Sequence, residues 1–368
     1  MTEVAVPPAG RVAGPVLVVG AGLIGTSIGM RLRELGVPVW LDDSDSRAVD
    51  VAVLRGAGER AGPGQGDPAL VVVAIPPGSV AAVASDMLAR YPEAVVCDVA
   101  GTKSGIVAGV AECAGPAAAR FVGTHPMAGR EVSGPNGARS DLFEHRRWVI
   151  TPTAANSESA IAAAAALAEA CDAVVVRLEP EAHDRAAALA SHLPQIVASA
   201  LAAQLEAAPA EDVVVSGQGL RDMVRIADSD PVLWADILDS NRSQVAPVLN
   251  RLIDDLGSVA GALVGHGQSD ADVVKRLLER GSAGRARLPD KHGGAAPKYG
   301  SVTVVVSDRP GELGRLFAAA GRAQVNLEDV RIEHSVGRLK AFIELSLLPE
   351  RVDALRGALV DEGWEILG

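Results

Sequence analysis

Short apolar runs alternate with helix-length periodic stretches through the first half of the chain. Residues 16–20 (VLVVG) contain no polar position, the pattern of a strand covered on both faces; a helix to about residue 35 and a second strand ending at Leu41-Asp42-Asp43 follow. Residues 70–75 (LVVVAI) form the next expected strand, stopped by Pro76-Pro77, with a helix over 78–90 and a strand over 94–98 (AVVCD) after it. Strands at 148–151 and 173–177 close the series around an Ala-rich helix near 157–170. Strands separated by helices are joined by right-handed parallel crossovers, so the pattern predicts an α/β fold with a doubly wound parallel sheet. The Gly- and Pro-bearing stretch 61–68 lacks periodicity and reads as a solvated loop.

From about Pro180 the strand signal stops and helical periodicity runs to about Gly281, with Pro231 placed where a helix can start after Asp230. Residues 282–300 are rich in Gly, Pro, Lys and Arg and read as an exposed connection. A compact unit follows: strand 302–306, helix 311–319, strands 326–333 and 339–347, helix 351–362 and a short strand 364–367, the β-α-β-β-α-β order of a ferredoxin-like α+β domain. The expected organisation is therefore a nucleotide-binding domain over 14–179, an all-helical domain over 180–285, a linker over 286–300 and an α+β domain over 301–368.

Composition narrows the function classes. The 368 residues carry 34 Lys+Arg against 46 Asp+Glu, a net charge of -12, and no basic run could follow a phosphate backbone; nucleic acid is not an expected partner. Aromatic residues make up only 3%, which leaves no stacking platform for bases. Cys97, Cys113 and Cys171 form no pair or cluster with metal-ligand spacing, so no metal is expected and a reducing cytoplasm fits. Residues 12–30 are uncharged between Arg11 and Arg31, as a membrane segment would be, but Pro15 and five glycines break the stretch into strand, turn and helix start, so no membrane association is expected.

Gly20-Ala21-Gly22-Leu23-Ile24-Gly25 lies between the first strand and its helix, where glycines permit a tight turn and close approach of backbone N–H groups to a pyrophosphate. This is the turn of a Rossmann-type sheet. Asp43, or its neighbour Asp42, ends the second strand, where a carboxylate accepts ribose hydroxyls and repels a 2′-phosphate. NAD is thus favoured over NADP, with Arg47 the nearby cation that could alter the preference; the same Asp43 could equally be the N-cap of the following helix.

Several candidate residues read two ways from the sequence alone. His125 is either a base or a loop histidine held by backbone hydrogen bonds. Arg221 and Arg225, four apart with Asp222 between them, form either a carboxylate clamp or a solvated helix face. Ser191 and His192 precede Pro194, which should kink their helix and turn side chains toward a cleft.

The segment Gly123-Thr124-His125-Pro126-Met127-Ala128-Gly129-Arg130-Glu131-Val132-Ser133-Gly134 resembles the substrate-site motif of prephenate and arogenate dehydrogenases, the oxidoreductases of tyrosine biosynthesis. The resemblance continues through Ala74-Ile75-Pro76-Pro77, 98–103, Ser191-His192-Leu193-Pro194, 221–227, Ser229-Asp230-Pro231 and Trp234. It implies NAD held by Gly20, Gly22, Leu23, Ile24, Gly25, Asp43, Ile75 and Pro76. It also implies His125 as catalytic base, and a substrate pocket of Arg225, Arg221, Asp222, Ser191, His192, Gln195, Glu131 and Trp234. Such chemistry needs a hydride acceptor, a base beside the ring hydroxyl and cationic groups for the carboxylates. Two positions depart from the family pattern. Gln195 replaces a common histidine and cannot become cationic, which keeps arogenate open as substrate. Gly101 replaces a common serine that helps hold the catalytic histidine, a role that Thr102 or Ser104 would have to take.

Near the C-terminus, Asp308-Arg309-Pro310-Gly311-Glu312-Leu313-Gly314 and Asn326-Leu327-Glu328-Asp329-Val330 resemble the ligand signature of an ACT domain. That resemblance implies allosteric binding of an aromatic amino acid, tyrosine first, near Asp308, Gly311 and Asn326, and pairing between chains. The expected enzyme is a cytoplasmic, NAD-dependent prephenate dehydrogenase, dimeric and regulated by its end product. The alternatives are an arogenate dehydrogenase making tyrosine directly and a non-catalytic sensor of NAD and amino acids.

Overall fold

A computed structural model describes residues 12–130, 132–265, 267–288, 299–334 and 340–367. The chain divides into two compact units, Met1–Ile253 and Asp254–Gly368. The first is built on an eight-stranded sheet of β1 (Val16–Val19), β2 (Val39–Asp42), β3 (Glu59–Arg60), β4 (Leu70–Val73), β5 (Val95–Asp98), β6 (Phe121–Pro126), β7 (Arg147–Thr151) and β8 (Val174–Arg177). Their order in space is β3-β2-β1-β4-β5-β6-β7-β8, so the order reverses between β1 and β4. All neighbours are parallel except β6 and β7, which are antiparallel.

The helices of this layer are α1 (Leu23–Glu34), α2 (Ser46–Leu54), α3 (Pro77–Arg90), α4 (Ser104–Ala114) and α5 (Glu158–Ala170). The strand period of two sorts side chains into two cores. Val16, Val18, Leu70 and Val72 face one side with Ile28 and Leu32 of α1, Val49 of α2 and Leu167 of α5; Leu17, Val71 and Val73 face the other with Val80 and Leu88 of α3 and Ile106 of α4. Each such fully buried aliphatic contributes about 1.5–3 kcal/mol, which explains why these strands contain no polar position. Residues 12–30, read above as strand, turn and helix, are β1, the glycine turn and the start of α1.

Helices α6 (Pro180–Ala187), α7 (Leu193–Glu206), α8 (Ala210–Val213), α9 (Gln218–Val224), α10 (Pro231–Ser240), α11 (Arg242–Val264) and α12 (Gln268–Arg285) follow, with the unit division inside α11. The kink expected at Pro194 takes the form of a π-helical turn, Ala188–His192, between α6 and α7. Pro194 has no N–H to donate and opens α7 where none is needed. The whole run Pro180–Glu206 is, among the described residues, long and apolar enough to cross a membrane by composition, with mean hydropathy 1.4. It nevertheless carries buried His183, Asp184, His192 and Gln195 and packs on α4 and β7.

The second unit contains β9 (Gly300–Ser307), α13 (Glu312–Arg322), β10 (Asp329–His334), β11 (Lys340–Leu347), α14 (Val352–Asp361) and β12 (Glu365–Leu367). The sheet order β10-β11-β9-β12, with antiparallel neighbours, is the ferredoxin-like arrangement expected. Alternate residues Val302, Val304 and Val306 of β9 and Ile343, Leu345 and Leu347 of β11 form its core with Leu316 of α13 and Leu355 and Leu359 of α14. Most of the expected linker, residues 289–298, lies outside the described residues.

Candidate active site

Ligands of open α/β sheets sit beyond the carboxyl ends of the strands where the order reverses, here at β1 and β4. Gly20 turns the chain at that point with φ +108°, and a Cβ on it would lie 2.2 Å from the Ala74 carbonyl oxygen. A Cβ on Gly25 would lie 2.0 Å from the Gly20 carbonyl oxygen, so α1 can approach the sheet only with glycine there. Gly22 has nothing within 4 Å of its Cβ position, and no side chain caps α1. The N–H groups of Leu23, Ile24 and Gly25 therefore begin a helix beside an open cradle suited to a pyrophosphate.

Asp43 Oδ2 accepts the Ala21 N–H at 2.6 Å and Oδ1 accepts the Asp45 N–H at 2.8 Å. The acid is thus tied to the glycine turn, with lone pairs left for ribose hydroxyls. Asp45, not Asp43, caps α2 by accepting the Arg47 N–H. Ile75 is half-buried and Pro76 exposed, immediately before α3. This group of residues fits NAD.

His125 stands near the carboxyl end of β6, beside the end of β5. Its Nδ1 lies 2.9 Å from His183 Nε2, and His183 Nδ1 lies 2.9 Å from Asp184 Oδ1. Asp184 also accepts the N–H groups of Lys103 and Ser104, both at 2.8 Å, where α4 begins. Burial pushes its carboxyl up, but these donors and the Ser104 side chain outweigh burial and bring it down to about 2. An ionised Asp184 can only accept, so His183 carries its proton on Nδ1. In neutral His183 the Nε2 lone pair then accepts from His125 Nδ1–H. His125 Nε2 is left as a lone pair. Burial, followed by His183, Lys103 and His192, holds His125 well below the usual histidine range.

A Cβ on Gly101 would sit 3.8 Å from His125 Nε2. Neither substitute expected for the missing serine is tied to His125: Ser104 is bonded to Asp184, and Thr102 is buried. Orientation comes instead from the opposite edge of the ring. Beneath the site, Lys103 and Asp98 form a fully buried ion pair. Asp98 further accepts the Ala100 N–H at 3.0 Å and the Thr124 N–H at 3.2 Å, which joins the end of β5 to β6. Burial pushes Asp98 up and Lys103 down, and their mutual attraction opposes both shifts.

His192 is buried in the π turn and meets Trp234 of α10 edge to face, with ring centroids 6.2 Å apart. Ser191 beside it is half-buried, and Gln195 is buried on α7, its amide 3.4 Å from Ser199 Oγ. Arg221, Asp222 and Arg225 are exposed. α9 ends at Val224 and Arg225 opens a 3-10 turn, so the pair straddles a helix end packed on α7; Asp222 accepts from Gln218 at 2.7 Å. Glu131 lies outside the described residues.

In the second unit Gly311, with φ +90°, caps α13 just past the end of β9, and Asn326 precedes β10 and donates to Glu328 at 2.6 Å. The register aligns Ser301 with Ser346 and Ser346 with Asp329, so Asn326 lies at the Gly300 end of the sheet and Asp308 and Gly311 at the Ser307 end. At about 3.3 Å per residue these ends are roughly 20 Å apart, so one chain does not bring the three residues together.

His183, Asp184 and Asn241 are the site residues that sequence reasoning missed. The adjacency of His183 and Asp184 gave a signal, but His183 meets His125 across 58 positions and only the fold supplies that pairing.

Comparisons with known proteins identify the family. Residues 28–177 match the nucleotide-binding domain of prephenate dehydrogenase and residues 179–279 match its dimerization domain. The chain is 34% identical to the probable prephenate dehydrogenase of Streptomyces niveus over 95% of this chain and 98% of that one. It is 28% identical to the prephenate dehydrogenase of Bacillus subtilis over 90% and 91%. The solved Aquifex aeolicus prephenate dehydrogenase in complex with hydroxyphenyl propionate and NAD+ superposes with a TM-score of 0.64 at 27% identity, covering 73% of this chain and 96% of that one. Both family domains occur in order, and the likeness spans nearly the full length: the chain belongs to the prephenate dehydrogenase family.

Proposed function

We propose that the chain oxidises prephenate to 4-hydroxyphenylpyruvate and carbon dioxide, with His125 as the base and NAD held by the Gly20–Gly25 turn, Asp43, Ile75 and Pro76. The observation that carries this reading is the chain of contacts from Asp184 through His183 to His125, which leaves His125 Nε2 as a lone pair at the carboxyl end of the sheet. Bound NAD supplies the acceptor for the hydride that leaves the ring carbon bearing the hydroxyl. His125 Nε2 takes the hydroxyl proton as the carbonyl forms, and Asp184, acting through His183, stabilises the resulting imidazolium. The ring carboxylate leaves as carbon dioxide, its bonding electrons aromatise the ring, and the phenolate oxygen recovers the proton from His125. Arg225 and Arg221 hold substrate carboxylates, with Asp222, Ser191, His192, Gln195, Glu131 and Trp234 completing the pocket.

Exchange of His125 for asparagine tests the assignment. H125N should lose about 100- to 10,000-fold in kcat while retaining NAD binding, and near-normal turnover would remove His125 from the mechanism.

Residues 301–368 form a regulatory ACT domain in this reading. Because Asp308 and Gly311 lie at the opposite end of the sheet from Asn326, an aromatic amino acid contacting all three needs two copies of the chain. A cytoplasmic homodimer satisfies that requirement.

A further inference from the structure

Asn241, in the turn between α10 and α11, is a buried amide absent from every motif above; both it and His192 are 2% exposed. Its Nδ2 lies 2.9 Å from the Asp184 carbonyl oxygen and 3.1 Å from His192 Nδ1. A carbonyl only accepts, so the amide must present its NH2 group there, and the second N–H of that group points to His192 Nδ1. His192 Nδ1 is then an acceptor, and in the neutral ring the proton resides on Nε2. Burial first, then His183, lowers His192 to about 4 against the attraction of Asp184, so the ring is neutral near pH 7. Among the described residues no protein acceptor is hydrogen-bonded to His192 Nε2, on the far side of the ring from Asn241. The ring meets Trp234, and Asn241 joins it to the backbone of Asp184, the residue whose carboxylate holds His183 against His125.

We infer that Asn241 is a positioning residue that fixes His192 as the Nε2–H tautomer, making it a neutral donor that selects an oxygen acceptor on the substrate. The inference deepens the proposed function and rests on it for the identity of the substrate. A keto acid offers such an acceptor wherever its side chain meets Nε2, whereas an ammonium group at that point offers only donors. Asn241 would thereby contribute to preference for prephenate over arogenate without touching either.

The test begins with the unmodified protein. With 15N-labelled histidine, and His192 identified by comparison with H192Q, the nitrogen shifts should show an unprotonated Nδ1 and a protonated Nε2; the reverse assignment overturns the inference. In Asn241→Asp the isosteric carboxylate accepts from Nδ1–H, so the protons should exchange places between the two nitrogens. The KM for prephenate should then rise about 10-fold with kcat little changed, and the ratio of kcat/KM for prephenate over that for arogenate should fall. A reversed tautomer with both parameters unchanged overturns the donor role of His192. If the unmodified enzyme oxidises neither substrate, the proposed function fails, while the nitrogen shifts still decide the tautomer.

Discussion

At the scale of single residues, His125, the proposed base, is set by its neighbours before substrate arrives. An ionised Asp184 orders His183, which in turn orders His125, and burial keeps the His125 ring neutral. A base whose folded pKa lies below its ordinary value stays deprotonated as pH falls through that value. The kcat/KM profile should therefore remain flat from neutrality to below about 6.5, with its acid limb beneath it. An acid limb above 6.5 would show that His125 is not depressed in the free enzyme. His125 was legible in the sequence because its motif is contiguous. His183, Asp184 and Asn241 were not, because their roles arise from contacts across 58, 80 and 57 positions. Gly101 was legible as a departure; among the described residues no hydrogen bond ties Thr102 or Ser104 to the His125 ring, and the contact the ring makes comes from His183 on another helix.

At the scale of elements, the strands were the most readable part, since residues buried on both faces leave unbroken apolar runs. β3 and β6 were the exceptions: β3 is two exposed charged residues, while Thr124, His125 and Pro126 interrupt the pattern of β6, whose antiparallel step to β7 has no local signature. Pro194 announced a distortion without specifying the π turn that inserts His192 into the interior. Asp98, which joins the end of β5 to β6 through the Thr124 N–H, is held in a buried pair with Lys103 at the start of α4, and the energetics of that pair follow from desolvation. Replacing Lys103 by methionine leaves a buried carboxylate without its cation, so K103M should lose about 3–5 kcal/mol of stability in denaturant unfolding. The double variant D98N/K103M should lose less than K103M alone, since it removes the stranded charge; an equal or larger loss would show that the pair stabilises by more than mutual neutralisation.

At the scale of the whole molecule, the net charge of -12 discourages a polyanionic partner but says nothing about the cleft, where Arg221 and Arg225 are the proposed clamps for a small dianion. Within the second unit the residues from Val302 to Trp364 have their own core, so deleting residues 301–368 tests whether the proposed regulation is separable from catalysis. Deleting residues 301–368 should preserve oxidation of prephenate and abolish any response to tyrosine; sensitivity retained after deletion would place the effector elsewhere. The central claim, NAD-dependent oxidation of prephenate with decarboxylation, is tested most directly by parallel initial rates with prephenate and arogenate, each with NAD and NADP, while carbon dioxide release is followed. The prediction is NADH and carbon dioxide in equal amounts from prephenate, with arogenate and NADP much poorer. Turnover confined to arogenate, or none with either substrate, would contradict it.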